Sequence, residues 1–120
     1  MWLALLVACA DEISDPLVVG EPVAVPAGCT AHRGDALVGG REVTILRCGD
    51  ESSLSWSEVG GDAPLGDTNC TFAGEPARCS HRDPLLIIAG RVRGVTISAT
   101  CASKDGAPGI STACATLVGR

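Results

Sequence analysis

From residue 17 onward, short β-branched and aliphatic runs alternate with clusters of Gly, Pro, Asp and Ser. The longest stretch free of Gly and Pro in that part is Val95 to Asp105, eleven residues, and it is rich in Val, Thr and Ile. An ordinary helix averages about 11–12 residues and disfavours β-branched side chains, which lose χ1 freedom there. The pattern therefore predicts strands, at Val23–Val25, Arg41–Cys48, Leu54–Val59, Asn69–Phe72, Leu85–Ala89, Val95–Cys101 and Ser111–Val118. Gly39-Gly40, Gly60-Gly61, Gly66-Asp67, Asp83-Pro84 and Asp105-Gly106 punctuate them as turns. Short strands at this spacing predict an all-β fold, a small disulfide-stabilised β-sandwich spanning residues 23–120.

The first residues follow another pattern. Met1 to Ala8 is an unbroken apolar run ending at Cys9. It is too short to cross a bilayer, which takes about 20 residues, but falls within the length of a signal-peptide core. Leu6-Val7-Ala8-Cys9 resembles the bacterial lipobox, Leu-small-small-Cys. The resemblance implies a signal peptide over 1–8, cleavage before Cys9 and lipidation of that cysteine. No Lys or Arg precedes the run, which points to a leader truncated at its basic end. The alternative is a short apolar terminus that packs as a strand. Residues 9–22 read as the lipid attachment and an acidic tether, with Ala10-Asp11-Glu12-Ile13-Ser14-Asp15-Pro16 in solvent. Ala10 replaces the Asp that resembles an inner-membrane retention signal, so the family rule implies the outer membrane.

Composition narrows the picture. The 120 residues make one domain's worth of chain. The formal charge of -5 leaves no basic stripe to displace counterions, so nucleic acid is not an expected partner. Beyond Trp2 the aromatics are Trp56 and Phe72 alone, which disfavours stacking platforms for sugars or single strands. A core of small aliphatics needs covalent staples. Seven cysteines stand at 9, 29, 48, 70, 79, 101 and 114. Setting aside Cys9 as the lipidated one leaves Cys29, Cys48, Cys70, Cys79, Cys101 and Cys114, an even set suited to three disulfides. Reducing compartments do not sustain such a set, so export is implied.

A second, weaker resemblance covers roughly residues 40–118. Gly40-Arg41-Glu42-Val43-Thr44-Ile45-Leu46-Arg47-Cys48 resembles the immunoglobulin B strand, and Leu54-Ser55-Trp56-Ser57-Glu58 resembles its C strand with the core Trp. Val95–Cys101 and Ser111–Val118 stand where strands F and G belong. The resemblance implies a Cys48–Cys101 bridge between two sheets with Trp56 packed on it, a Cys29–Cys114 bridge, and Cys70–Cys79 closing the loop Thr71–Arg78. Sequential pairing is the rival: Cys29–Cys48, Cys70–Cys79 and Cys101–Cys114. Six cysteines allow 15 connectivities, and both schemes stay open.

Other motifs carry less. Cys29-x-x-His32 and Cys79-x-His81 supply zinc-ligand types without a finger's spacing, and export favours disulfides over metal. Ser80-His81-Arg82-Asp83, and His32 near Asp35, contain hydrolase residue types, but no Gly-x-Ser-x-Gly turn accompanies them. Both histidines read as surface residues in turns, and Arg33-Gly34-Asp35 reads as a turn. Asn69-Cys70-Thr71 fits a glycosylation acceptor that a bacterial lipoprotein would leave unmodified. Gly74-Glu75-Pro76-Ala77-Arg78, between Cys70 and Cys79, could form a protease-binding loop.

The resulting expectation is a lipid-anchored cell-envelope protein, at the outer membrane, whose β-domain is a binding or structural module. Exposed loops would meet a protein partner, and no catalysis, cofactor or metal is expected. A secreted protease inhibitor is the alternative, with a small hydrolase behind it.

Overall fold

The structure, a computed structural model, describes residues 7–36, 41–61, 66–104 and 106–119. In chain order the elements are β1 (Val7–Ile13), β2 (Leu17–Val18), β3 (Glu21–Pro22), β4 (Cys29–Ala36), β5 (Glu42–Cys48), β6 (Ser53–Glu58), β7 (Thr68–Phe72), β8 (Glu75–Arg82), β9 (Leu85–Val92) and β10 (Val95–Ala102). A 3-10 turn (Pro108–Ile110), a one-turn helix α1 (Thr112–Ala115) and β11 (Val118–Gly119) complete it. Nine strands form one antiparallel sheet in the order β1-β4-β5-β6-β10-β9-β8-β7-β11, and β2 and β3 form a separate small hairpin.

Side-chain alternation decides which face is buried, because successive residues of a strand point to opposite sides. On β6, Leu54 and Trp56 face inward while Ser53, Ser55 and Ser57 face outward; on β10, Ile97, Ala99 and Cys101 are buried between half-exposed Ser98 and Thr100. Leu86 and Ile88 of β9 and Ala77 and Cys79 of β8 continue the inner face. No second large sheet covers it among the described residues. Instead the sheet rolls over on itself. Trp56 on β6 and Phe72 on β7, separated by three intervening strands in the sheet order, meet edge to face with ring centroids 6.4 Å apart. The β2–β3 hairpin packs its buried Val18 against this core, held by Trp56 Nε1 donating to the Leu17 carbonyl at 3.2 Å and by Arg93 donating to that of Val18. Buried Ala113 and Cys114 of α1 join the core through contacts with β5, β6 and β10.

Tight hairpins set the register. Val19-Gly20, Ala73-Gly74 and Arg93-Gly94 all take positive φ at both positions, joining β2 to β3, β7 to β8 and β9 to β10. That is the type I′ geometry whose twist matches the flanking strands. Glycine suits the second position because it has no Cβ to clash there.

Two disulfides staple neighbouring strands. Cys29 and Cys48 face each other across β4 and β5, and Cys70 and Cys79 join β7 to β8 diagonally. The all-β, disulfide-stabilised expectation therefore stands, as do Cys70–Cys79, which both pairing schemes share, and Cys29–Cys48 of the sequential scheme; the Cys48–Cys101 and Cys29–Cys114 bridges implied by the immunoglobulin resemblance do not form. Cys48 is bonded to Cys29, not Cys101, and Cys114 carries a free thiol. No bridge lies beneath Trp56; Phe72 does.

Several boundaries also change. Val23–Val25 is not a strand, and Ser111–Val118 holds α1 and only the start of β11. The tether expected over 9–22 is folded: β1 pairs with β4 from Cys9 to Ile13, and Pro16 and Val18 are fully buried. Strand β1 spans Val7–Ile13, while residues 1–6 of the expected signal peptide lie outside the described residues. So do the Gly39-Gly40 turn and Asp105.

Two measurements test this account. Phe72→Ala should lower the free energy of unfolding in urea by about 3–5 kcal/mol, the usual cost of emptying a buried aromatic site. Ile110→Ala, at a side chain 82% exposed, should leave it nearly unchanged. Replacing Cys70 and Cys79 together by Ala should cost about 3 kcal/mol, the loop-closure value for a ring of this size.

Candidate functional site

The turn between β5 and β6, Gly49-Asp50-Glu51-Ser52, is built around one carboxylate. Asp50 Oδ1 accepts from the Ser52 backbone N–H at 3.0 Å and from the Ser52 hydroxyl. Its Oδ2 accepts from the Thr112 N–H, also at 3.0 Å, and Ser52 Oγ accepts from the Ala113 N–H at 3.0 Å. One residue further on, the Cys114 thiol donates to the Ser53 carbonyl at 3.4 Å. Residues 112, 113 and 114 are thus held in succession by 50, 52 and 53. The first amides of a helix lack internal partners, and here a distant turn supplies them. Hydrogen bonds from the Ser52 hydroxyl, then from the backbone and side chain of Thr112, hold the Asp50 carboxyl well below its ordinary value.

This clasp seats Cys114 beside Cys101 of β10. Both residues are fully buried, and their thiols hydrogen-bond to each other. Accepting from Cys101, and also from Ser111 and the Ala102 N–H, makes Cys114 the more acidic of the two. Giving that hydrogen bond, together with burial, pushes the Cys101 thiol up. An asymmetric dithiol of this kind can undergo exchange with a disulfide, the more acidic sulfur attacking first.

A second feature lies on the opposite, outward face. A cavity of about 390 Å³ runs over β5, β6, β10 and β9. Hydroxyls of Ser53, Ser55, Ser57, Ser98 and Thr100 line it, with Val43 and Ile87 beside them, and it has no ionisable lining residue. It offers hydrogen bonds and apolar contact.

The residues singled out by sequence fall elsewhere. Cys9 lies on the edge strand β1, with Asp35 as its register partner. Cys29 and Cys79 are both consumed in disulfides, so neither thiolate is available to join His32 or His81 on a metal. The histidines lie on strands, not in turns: His32 on β4, within hydrogen-bond distance of Thr30 Oγ1 at 3.1 Å, and His81 on β8. Ser80 and His81 are consecutive strand residues and point to opposite faces, as do His32 and Asp35. Arg33-Gly34-Asp35 is not a turn but interior strand, paired with β5 on one side and β1 on the other. Asn69 sits on β7, where its Oδ1 accepts from Arg78. The loop expected at Gly74–Arg78 is instead the second residue of a two-residue turn followed by strand β8, which pairs with β7 and with β9.

The Asp50 clasp escaped the sequence reading because its partners are some 60 positions apart, 62 for Thr112 and 61 for Ala113. The one local signal is Asp50-Glu51-Ser52-Ser53, a turn-forming run two residues after Cys48. Comparison with protein-family models, with curated proteins and with solved structures finds no match.

Asp50 also sets a pH dependence. Its folded value lies below the unfolded one, so the folded protein binds fewer protons. Its contribution is complete above the unfolded carboxylate value, about pH 4, and is lost as pH falls from there toward the folded value. Asp50→Asn should therefore destabilise the protein at neutral pH, and the gap from wild type should shrink below about pH 4. Urea unfolding of both proteins at a series of pH values measures it; a gap constant into acid contradicts it.

Proposed function

We propose that the chain is an exported, lipid-anchored protein of the bacterial cell envelope, whose all-β domain serves as a binding or structural module. The observation that carries the reading is the pair of disulfides, Cys29–Cys48 and Cys70–Cys79, in a chain whose Cys9 ends a lipobox-like Leu6-Val7-Ala8-Cys9. Such bonds persist in oxidising compartments. The lipobox supplies a reason for the odd cysteine and for membrane attachment.

The register of β1 supports cleavage before Cys9. Regular pairing with β4 runs from Cys9↔Asp35 to Ile13↔Ala31, and the ladder is irregular between Val7 and Cys9. Cutting there forfeits the Val7↔Ala36 pair and keeps five regular ones. The lipid would then sit on the sheet's edge strand, with no flexible spacer before the fold. The domain would then stand directly at the membrane surface. The absence of Asp at position 10 favours the outer membrane. In the module itself, the hydroxyl-lined cavity supplies groups for recognition.

Cys9→Ala tests the anchor. Expressed in a Gram-negative host, wild type should partition with membranes and carry the mass of a lipid modification. The variant should appear in the soluble fraction without it. A variant that stays with the membrane, or a wild type of unmodified mass, refutes the anchor.

A further inference from the structure

We propose that Cys101 and Cys114 are a third disulfide site, and that closing this bond fixes α1 and the C-terminal segment over the open side of the rolled sheet. The proposal rests on the exported reading only for the source of its oxidant.

The geometry is already assembled. Cys114 of α1 has its sulfur 3.4 Å from the Ser53 carbonyl, and Ser53 is the register partner of Ala102, next to Cys101 on the central strand β10, so the two buried thiols are neighbours in the core. Three hydrogen bonds hold α1 in that place, from Thr112, Ala113 and Cys114 to Asp50, Ser52 and Ser53. Neither sulfur is exposed. With the other four domain cysteines already bonded in pairs, each is also the other's available partner. Both existing bridges join strands adjacent in the sheet, and neither reaches the C-terminal segment. That segment leads to β11, which among the described residues pairs with β7 through Val118↔Phe72 and Gly119↔Thr71. A short edge pairing of this kind gains most from a covalent tie nearby.

The chemistry balances with a disulfide as oxidant, a protein disulfide or a small one. With α1 lifted, the Cys114 thiolate attacks the oxidant, forming a mixed disulfide and expelling one thiolate. Cys101 then loses its proton and attacks the Cys114 sulfur, expelling the second thiolate. Two protein thiols are oxidised, one disulfide is reduced to two thiols, and two electrons change hands. Cys114 takes the attacking role because it rides on the segment that lifts, whereas Cys101 stays within the central strand β10. Once α1 docks, burial shields the bond from reductant.

The test uses the full chain carrying Cys9→Ala, so that no seventh thiol interferes. The protein is reduced, refolded in a glutathione redox buffer, and its remaining thiols are trapped with N-ethylmaleimide under denaturing conditions. Non-reducing peptide mapping should find Cys101 linked to Cys114 and no trapped thiol at either position. Trapped thiols at both, with Cys29–Cys48 and Cys70–Cys79 formed, overturn the proposal, as does either sulfur linked elsewhere. Amide exchange between residues 112 and 118 should also be slower, by about a hundredfold, in this oxidised protein than in the Cys9→Ala, Cys101→Ala, Cys114→Ala variant, matching closure of a short loop. Equal exchange overturns the fixing role even where the bond forms. The refolding buffer supplies its own oxidant, so this result is independent of the compartment. Failure of the exported reading shows separately, as a native protein whose Cys29, Cys48, Cys70 and Cys79 are all reduced.

Discussion

The contact between Trp56 and Phe72 joins two strands that are not neighbours in the sheet, and the rolled shape depends on it. An antiparallel sheet with one apolar face has to bury that face against something. Here the partner is the far part of the same sheet. Right-handed strand twist begins the curl, and the two largest core side chains meet where it closes. The remaining inner positions are Leu, Ile, Val, Ala and Cys, which fill a narrow interior. Gly90 is the register partner of Ala77 on the neighbouring strand β8, and a Cβ there would stand 2.9 Å from that of Ala77.

A roll of this kind has an open side, and the C-terminal segment covers it. α1 is only four residues long, below the length at which a helix is stable by itself. Its stability comes from outside, from the carboxylate and hydroxyl of the β5–β6 turn and from burial of Ala113 and Cys114. Asp50 therefore links a hairpin turn to the chain end and brings a thiol against β10. A single residue in a turn thus governs both the closure of the core and the approach of the two sulfurs.

Much of the fold was legible in residue pattern, and the failures have physical causes. β5, β6, β7, β9 and β10 were visible because their Val, Ile, Leu and Thr positions alternate or cluster between Gly and Pro. β4 and β8 were not. Cys-Thr-Ala-His-Arg-Gly-Asp-Ala and Glu-Pro-Ala-Arg-Cys-Ser-His-Arg each turn only small residues inward, Ala31 in the first and Ala77 and Cys79 in the second. Their stability comes from pairing on both sides and from a disulfide. The type I′ turns were hidden for a related reason. The first turn position favours Asn, Asp or Gly, but this chain places Val19, Ala73 and Arg93 there. Ser111–Val118 was read as strand from its Thr, Leu and Val content; the Asp50 clasp overrides that local preference at Thr112 and Ala113. The cysteine set was readable as a set. Of its pairing, Cys70–Cys79 was common to both schemes, while the partner of Cys48 stayed open between Cys29 and Cys101, because it depends on β4 lying beside β5 and β4 carries no apolar signature.

The same register bears on where an anchor could act. The edge strand β1 places Asp11 opposite Arg33 and Glu12 opposite His32, so the acidic run that resembles a solvated tether instead complements a basic neighbour strand. Charged edge strands resist pairing with other chains, which matters for a sheet whose edge would otherwise be a template. A lipid at Cys9 would lie at the start of that strand's regular ladder. Its pull would pass into β4 through backbone hydrogen bonds, and from β4 into β5 through Cys29–Cys48. The staple that is least buried is thus the one that would couple an anchored edge to the core, a position where a covalent bond has more use than another apolar contact.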